Sequence, residues 1–386
     1  MDKDFVAERQ NPSKLFEQAE NVAKCGDFQD AVNLYSQVIA KACNSRGNAY
    51  LELRNYDPAI ADFTKAIELD SKDAFAYYNR GVAYYGKKDY RKAIEDYTKA
   101  IELEPKDASA YYNRGKAYIK KQKYDQAIQD YTQAITLNPK DAEVYNNRGL
   151  AYHKLQNYTQ AILDYTKAIE IDPKKCLYYN NRGSVYSGLQ NYTQAIEDFT
   201  KAIELDPKYA CAYSNRAVAY GKLKNYNQAI ADFTKTIELD PKDACAYNNR
   251  GYPYYELKNY DQAIADYTKA IELEPKDASA YYNRGNAYIE LKDYNQAIAD
   301  YTKAIALNSK DAFVYFCRGS VYVNLKNYNQ AIEDLKKAIE IDPHYAKAYS
   351  SYALAYYRKE DYNRAKKYAK KACDLGECEF WNELNR

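Results

Sequence analysis

Methionine and tryptophan occur once each in the 386 residues, histidine twice, glycine 13 times and proline 10 times. A zinc site of the Cys/His type needs histidines or close cysteine pairs. Here His153 and His344 stand far apart, and none of the eight cysteines forms a Cys-x-x-Cys pair. No apolar run approaches the ~20 residues that span a bilayer as a helix, which argues against a membrane protein. The first residues, Met-Asp-Lys-Asp-Phe-Val-Ala-Glu, are acidic where a secretion signal is basic and then apolar. The cysteines are therefore expected to be reduced, and the chain cytoplasmic. Lys and Arg number 56 against 54 Asp and Glu. That balance leaves no broad basic field for a phosphate backbone, so nucleic acid is a poor first expectation. No Gly-rich phosphate loop or nucleophile motif is found, so no enzyme and no cofactor is expected.

What the chain does contain is tyrosine, 47 residues of it, in strict register. Asn-Arg-Gly recurs at 79–81, 113–115, 147–149, 181–183, 249–251 and 283–285, always 34 residues apart or a multiple of it. A repeat at such a period signals a stacked array. Ten consecutive 34-residue repeats fill 40–379, preceded by an N-terminal segment at 1–39 with a partial repeat and followed by a tail at 380–386. The segments Asp96–Gly115 and Asp266–Gly285 are identical, which suggests duplication of a block.

Each repeat reads as two helices. In the repeat beginning at Ala108, residues Tyr111, Arg114, Gly115 and Tyr118 share one helical face, and Ala127, Tyr131 and Ala134 share another. Gly115 and Ala127 allow close approach of the two backbones. Between repeats, Asn138-Pro139-Lys140-Asp141 stops one helix and caps the next. Asp125, and Asp57 with Pro58, are expected to open second helices in the same way.

An aromatic residue at position 4, Gly or Ala at 8, Tyr at 11, Ala at 20, an aromatic at 24, Ala at 27 and Pro at 32 resemble the tetratricopeptide repeat (TPR). The resemblance covers over nine-tenths of the chain and departs at position 7, where nine repeats carry Arg in place of Leu. It implies an all-α, right-handed superhelical solenoid of about eleven antiparallel helix pairs. The first helices would line a concave groove that binds a protein or peptide, without catalysis. The family's carboxylate clamp for chaperone tails is not assembled here. Asn48, Asn286 and Lys347 match it only singly.

Two registers stand out. The position-7 arginines, Arg46 to Arg318, accompany position-23 aspartates, Asp62 to Asp334, and both are missing from the terminal repeats. An internal ion pair accounts for that joint loss; an anion-binding track is the alternative. Position 6 is asparagine at Asn79, Asn113, Asn147, Asn181, Asn215, Asn249 and Asn283. One reading is a repeated inter-helix hydrogen bond. The other is a ladder of amides that grips the backbone of an extended peptide, as the resemblance implies for long arrays. Selectivity would then rest on variable neighbours: Phe75, Tyr78, Tyr85, Tyr112, Lys116, His153, Tyr255, Tyr282 and Phe313.

Three further expectations follow. Pro253, inside a first helix, removes a hydrogen bond to the Asn249 carbonyl and predicts a kink there. The first junction, from Asp30 to Arg46, has neither Gly nor Pro and predicts either a continuous helix through Ser36–Asn48 or a very tight turn, the helix being favoured, with apolar faces suited to a homodimer through the N-terminal repeat. The rival functions are a self-assembling structural protein and a single-stranded RNA binder using Tyr stacking with Lys116, Lys120, Lys154 and Lys222.

Overall fold

The computed structural model of the chain describes residues 12–384. Twenty-two helices, and no strand, occur among the described residues. They divide after Leu189 into two compact halves. The N-terminal half holds α1 Pro12–Lys24, α2 Phe28–Glu52, α3 Tyr56–Leu69, α4 Ala74–Gly86, α5 Tyr90–Leu103, α6 Ala108–Lys120, α7 Tyr124–Leu137, α8 Ala142–Lys154, α9 Tyr158–Ile171 and α10 Cys176–Gly188. The C-terminal half begins with α11 Tyr192–Leu205, α12 Ala210–Lys222, α13 Tyr226–Leu239, α14 Ala244–Glu256, α15 Tyr260–Leu273 and α16 Ala278–Glu290. It continues with α17 Tyr294–Leu307, α18 Ala312–Asn324, α19 Tyr328–Ile341, α20 Ala346–Arg358, α21 Tyr362–Asp374 and the short α22 Glu379–Leu384.

The pair α6–α7 shows why the sequence folds this way. Asp107 caps α6 by accepting from the Ser109 N–H. Ala110, Gly115 and Ala117 are buried on α6; Ala127, Tyr131 and Ala134 are buried on α7. A Cβ on Gly115 would lie 2.6 Å from the Tyr131 ring, so glycine is what lets the aromatic ring enter between the helices. The three-residue turn closes through Gln122, a left-handed residue with φ 58°. Its N–H donates to the Ile119 carbonyl and that of Lys123 to the Tyr118 carbonyl, the two bonds of a Schellman motif. So short a turn makes the two packed helices antiparallel. Consecutive first helices also touch (α4 with α6, α6 with α8, α12 with α14), and no second helix packs comparably on its counterpart among the described residues. Within each half the first helices therefore line the compressed, inner side.

Some expectations are corrected by this geometry. Asp141 does cap α8. Asp125, however, lies inside the first turn of α7, whose N-cap is Lys123, and Asp57 with Pro58 lies inside the first turn of α3 after Asn55. The second helix starts two residues earlier than proline and acid placement suggested, because Tyr124 and Tyr56 already take helical conformation. The cysteines are not all free: Cys373 and Cys378 form a disulfide. Gly376, at φ 100°, reverses the chain after α21 and brings the two Cα atoms within 3.9 Å. Their spacing of five residues gave no hint of that reversal.

The first junction is one helix. The 25-residue α2 supplies both the partner of α1 and the first helix of the pair completed by α3. Finally, α14 runs unbroken from Ala244 to Glu256 with Pro253 buried inside it. The proline occupies the buried slot that alanine fills at Ala219 and Ala287. No helix of the described residues is long and apolar enough to cross a membrane.

Candidate functional site: the first-helix surface

The arginine register is structural. In eight repeats the guanidinium forks onto the aspartate of its own pair, as in Arg148 Nε to Asp164 Oδ2 at 2.8 Å and Nη2 to Oδ1 at 2.7 Å. The pairs run from Arg46–Asp62 to Arg318–Asp334. The third nitrogen reaches back one repeat: Arg148 Nη1 donates to Thr132 Oγ1 at 3.1 Å, and Arg80, Arg114 and Arg216 do likewise to Thr64, Thr98 and Thr200. The guanidinia of Arg80, Arg114, Arg148, Arg216, Arg250 and Arg284 also lie against a tyrosine ring of their own helix, such as Tyr145 under Arg148 at 5.7 Å. One arginine thus ties two helices of a pair and the pair before it. The bond to Asp96 holds the Arg80 guanidinium above its ordinary pKa, so the charge is permanent. Thr at position 25 in eight repeats was the unread signal for this second tie.

The asparagine register is built differently from the expected ladder. Asn113 Nδ2 donates to the Tyr78 hydroxyl at 2.8 Å and to the Ser109 carbonyl. Asn147 Nδ2 donates to the Tyr112 hydroxyl at 2.9 Å. Asn181 and Asn283 donate to the amide oxygens of Asn146 at 2.8 Å and Asn248 at 3.1 Å. Position 6 of one repeat is therefore bound to position 5 of the repeat before, and the donor half of each amide is committed. Among the described residues no donor reaches the side-chain oxygens of Asn113, Asn181 and Asn283. Asn79 is buried and donates to the Phe75 carbonyl of its own helix; Asn44, at position 5 before it, donates to Asp73, and its amide oxygen is buried without a partner among the described residues. Asn249 is exposed, and no side-chain bond of it is found among the described residues. Asn215 is half-buried.

The variable neighbours form local clusters. Tyr112 is shared by Asn147, by Glu143, to which its hydroxyl donates, and by Lys116, whose ammonium lies 5.1 Å from its ring and 5.7 Å from that of Tyr85. Burial pushes the Tyr78 hydroxyl up to about 12, keeping it neutral. Burial likewise lowers the His153 pKa; its ring meets Tyr158 edge-on at 5.8 Å. Tyr255 and Tyr260 both donate to Glu290. Tyr282 packs between Tyr301 and Phe313, with centroids at 6.1 and 5.7 Å. Sequence reasoning missed Glu143 and Glu290, whose partners lie 30 or more residues away.

A repeated 34-residue helix pair, in which a glycine such as Gly81, Gly115 or Gly251 admits an aromatic ring between the helices, is the unit the family profiles describe. The tetratricopeptide repeat profile matches residues 40–73, 74–107, 142–175, 177–209, 210–243, 278–311 and 312–345. The chain belongs to the tetratricopeptide repeat family. Further TPR profiles match 115–156 and 251–292, 96–129 and 233–265, and 346–375. Among solved structures, a tetratricopeptide repeat protein from Parabacteroides merdae is 25% identical over 61% of this chain and 93% of its own, with a TM-score of 0.51. MamA is 31% identical over 42% of this chain and 94% of its own at TM-score 0.40. YrrB, described as a TPR protein with an unusual peptide-binding site, is 27% identical over 48% and 95% at TM-score 0.42. No curated protein matches the chain. Family membership supports a protein–protein interaction scaffold.

Proposed function

We propose that this TPR protein is a non-catalytic scaffold that binds an extended segment of a partner protein along its first-helix surface. The observation that carries this reading is the row of position-6 amides on the inner side. In Asn113, Asn181 and Asn283 the N–H groups are held by the preceding repeat and the oxygens are left to accept from a ligand. Lateral tethering fixes each amide before a ligand arrives, which lowers the entropy lost on binding. A peptide backbone has an N–H at nearly every residue, so such acceptors register a strand with little demand on its side chains. Tyr78, Tyr112, Lys116, His153, Tyr255 and Tyr282 flank the row and would supply selectivity.

Replacing Asn113, Asn147, Asn181 and Asn215 together by alanine tests this. The expected result is loss of the partners captured by the wild type from a cell extract, with helical content retained. Capture of the same partners by the quadruple variant would move the site to the outer face or the ends.

A second reading rests on a separate observation. Phe28, Val32 and Ile39 are exposed on the continuous α2. A second copy of this chain covering that face would make a homodimer.

A further inference from the structure

The repeat formed by α12 and α13 meets α14 at a cavity of about 330 Å3. Two departures from the repeat pattern create it. Position 12 carries Tyr85, Ile119, Tyr255 and Ile289 in other repeats but Gly221 here, and a Cβ on Gly221 would meet nothing within 4 Å. Pro253, on the facing wall, has no N–H, so the helical bond that should end on the Asn249 carbonyl lacks its donor. Asn249 and Tyr252 are exposed beside it. Tyr226 meets Tyr252 edge-on at 6.3 Å and is fixed by donating to Glu256 at 3.1 Å. Phe233 forms the inner end. The cavity is thus an aromatic-walled slot, lined by Asn249, whose carbonyl has lost its usual helical donor, at the low end of the roughly 300–1,000 Å3 of ligand sites. Lys222 and Lys224 also line it, and among the described residues neither has a carboxylate partner, while Glu256 is engaged by Tyr226.

We infer that this slot is the anchor pocket of the bound strand. It takes one aromatic or large aliphatic side chain of a partner peptide, whose backbone N–H donates to the Asn249 carbonyl and whose neighbouring acidic residue faces Lys222 and Lys224. The inference rests on the groove reading above and adds the ligand's chemistry: a large apolar residue next to a carboxylate. Apolar burial supplies affinity, the orphaned carbonyl fixes the strand, and the lysines give charge complementarity.

The test pans a random twelve-residue peptide library, displayed on phage, against the full chain. Selected peptides are expected to share a large apolar residue beside Asp or Glu. They should bind Gly221→Ile at least about tenfold more weakly, since isoleucine fills the slot, and Pro253→Ala several-fold more weakly, since the restored N–H occupies the Asn249 carbonyl. Neither variant is expected to melt below the wild type, so lost binding would not be lost folding. Peptides that bind Gly221→Ile as well as the wild type overturn the anchor pocket. If those peptides still fail on the quadruple asparagine variant, the groove reading survives without it. Peptides indifferent to both sets of substitutions, or no selection at all, overturn both.

Discussion

At the scale of single residues, position 7 is where the chain departs most from the family, and the structure gives a reason. A leucine there would serve one pair; the arginine serves two. Arg148 and Asp164 side chains are 17% and 6% exposed, so Arg148→Leu strands a carboxylate in the interior and should destabilise the fold by about 3 kcal/mol. Adding Asp164→Ala should recover part of the loss, as read by urea unfolding. Burial raises the Asp164 pKa, and without its arginine that rise grows. A raised folded pKa adds stability at low pH and loses it as pH climbs, so the single variant's deficit should shrink towards pH ~4. A second residue-scale test uses position 24. The Tyr165 hydroxyl is buried without a partner, whereas that of Tyr301 donates to Asn286 at 2.7 Å. Tyr165→Phe should be neutral or stabilising by about 1 kcal/mol, and Tyr301→Phe destabilising by a similar amount. The Arg–Asp pair was legible in the sequence because both residues vanish together in the end repeats. The bond from Asn113 to Tyr78 was not, because it joins different positions of different repeats and position 5 changes from Tyr to Asn to Ser.

At the scale of elements, absence was as informative as presence. Without Gly or Pro between Asp30 and Arg46, nothing stopped α2, and it runs for 25 residues. Its exposed apolar side chains, Val32 at 56% and Ile39 at 48%, lie on one stretch of that helix. Light scattering over a concentration series is expected to show a dimer that Val32→Glu with Ile39→Glu converts to monomer. A wild type that stays monomeric at high concentration would dismiss the second reading. Pro253 was equally visible, yet its setting was not: the sequence placed a lost bond at Asn249, while the cavity beside it depends on Gly221 in the preceding repeat. Turns were only half legible. Lys88, Gln122, Lys224 and Lys258 sit at φ near +60°, a conformation that favours glycine. The sequence offers no glycine there, and the Schellman bonds alone hold these residues in place.

At the scale of the whole molecule, the chain carries 47 tyrosines and buries several of their phenols in its core. Burial holds Tyr97, Tyr131, Tyr165, Tyr267 and Tyr301 above the ordinary tyrosine range, and Tyr78 and Tyr255 at about 12. A folded pKa above the unfolded value of about 10 means the fold keeps protons that the unfolded chain releases. Stability is then complete below about pH 10 and declines as pH rises towards 12, and thermal unfolding at pH 8 to 11.5 should show that decline. Repeat length and helix pairing were legible because duplication wrote them ten times over. What the inner surface binds is written in the residues that differ between repeats, where one sequence has no second example to compare. The central claim is that a partner strand lies extended along consecutive first helices. Adjacent helices pack 8–10 Å apart and a strand advances ~3.3 Å per residue. Photo-crosslinking groups placed singly at Asn113, Asn147 and Asn181 should therefore join one partner polypeptide at sites stepping by about three residues. Crosslinks that fall at unrelated sites, or on different proteins, would contradict it.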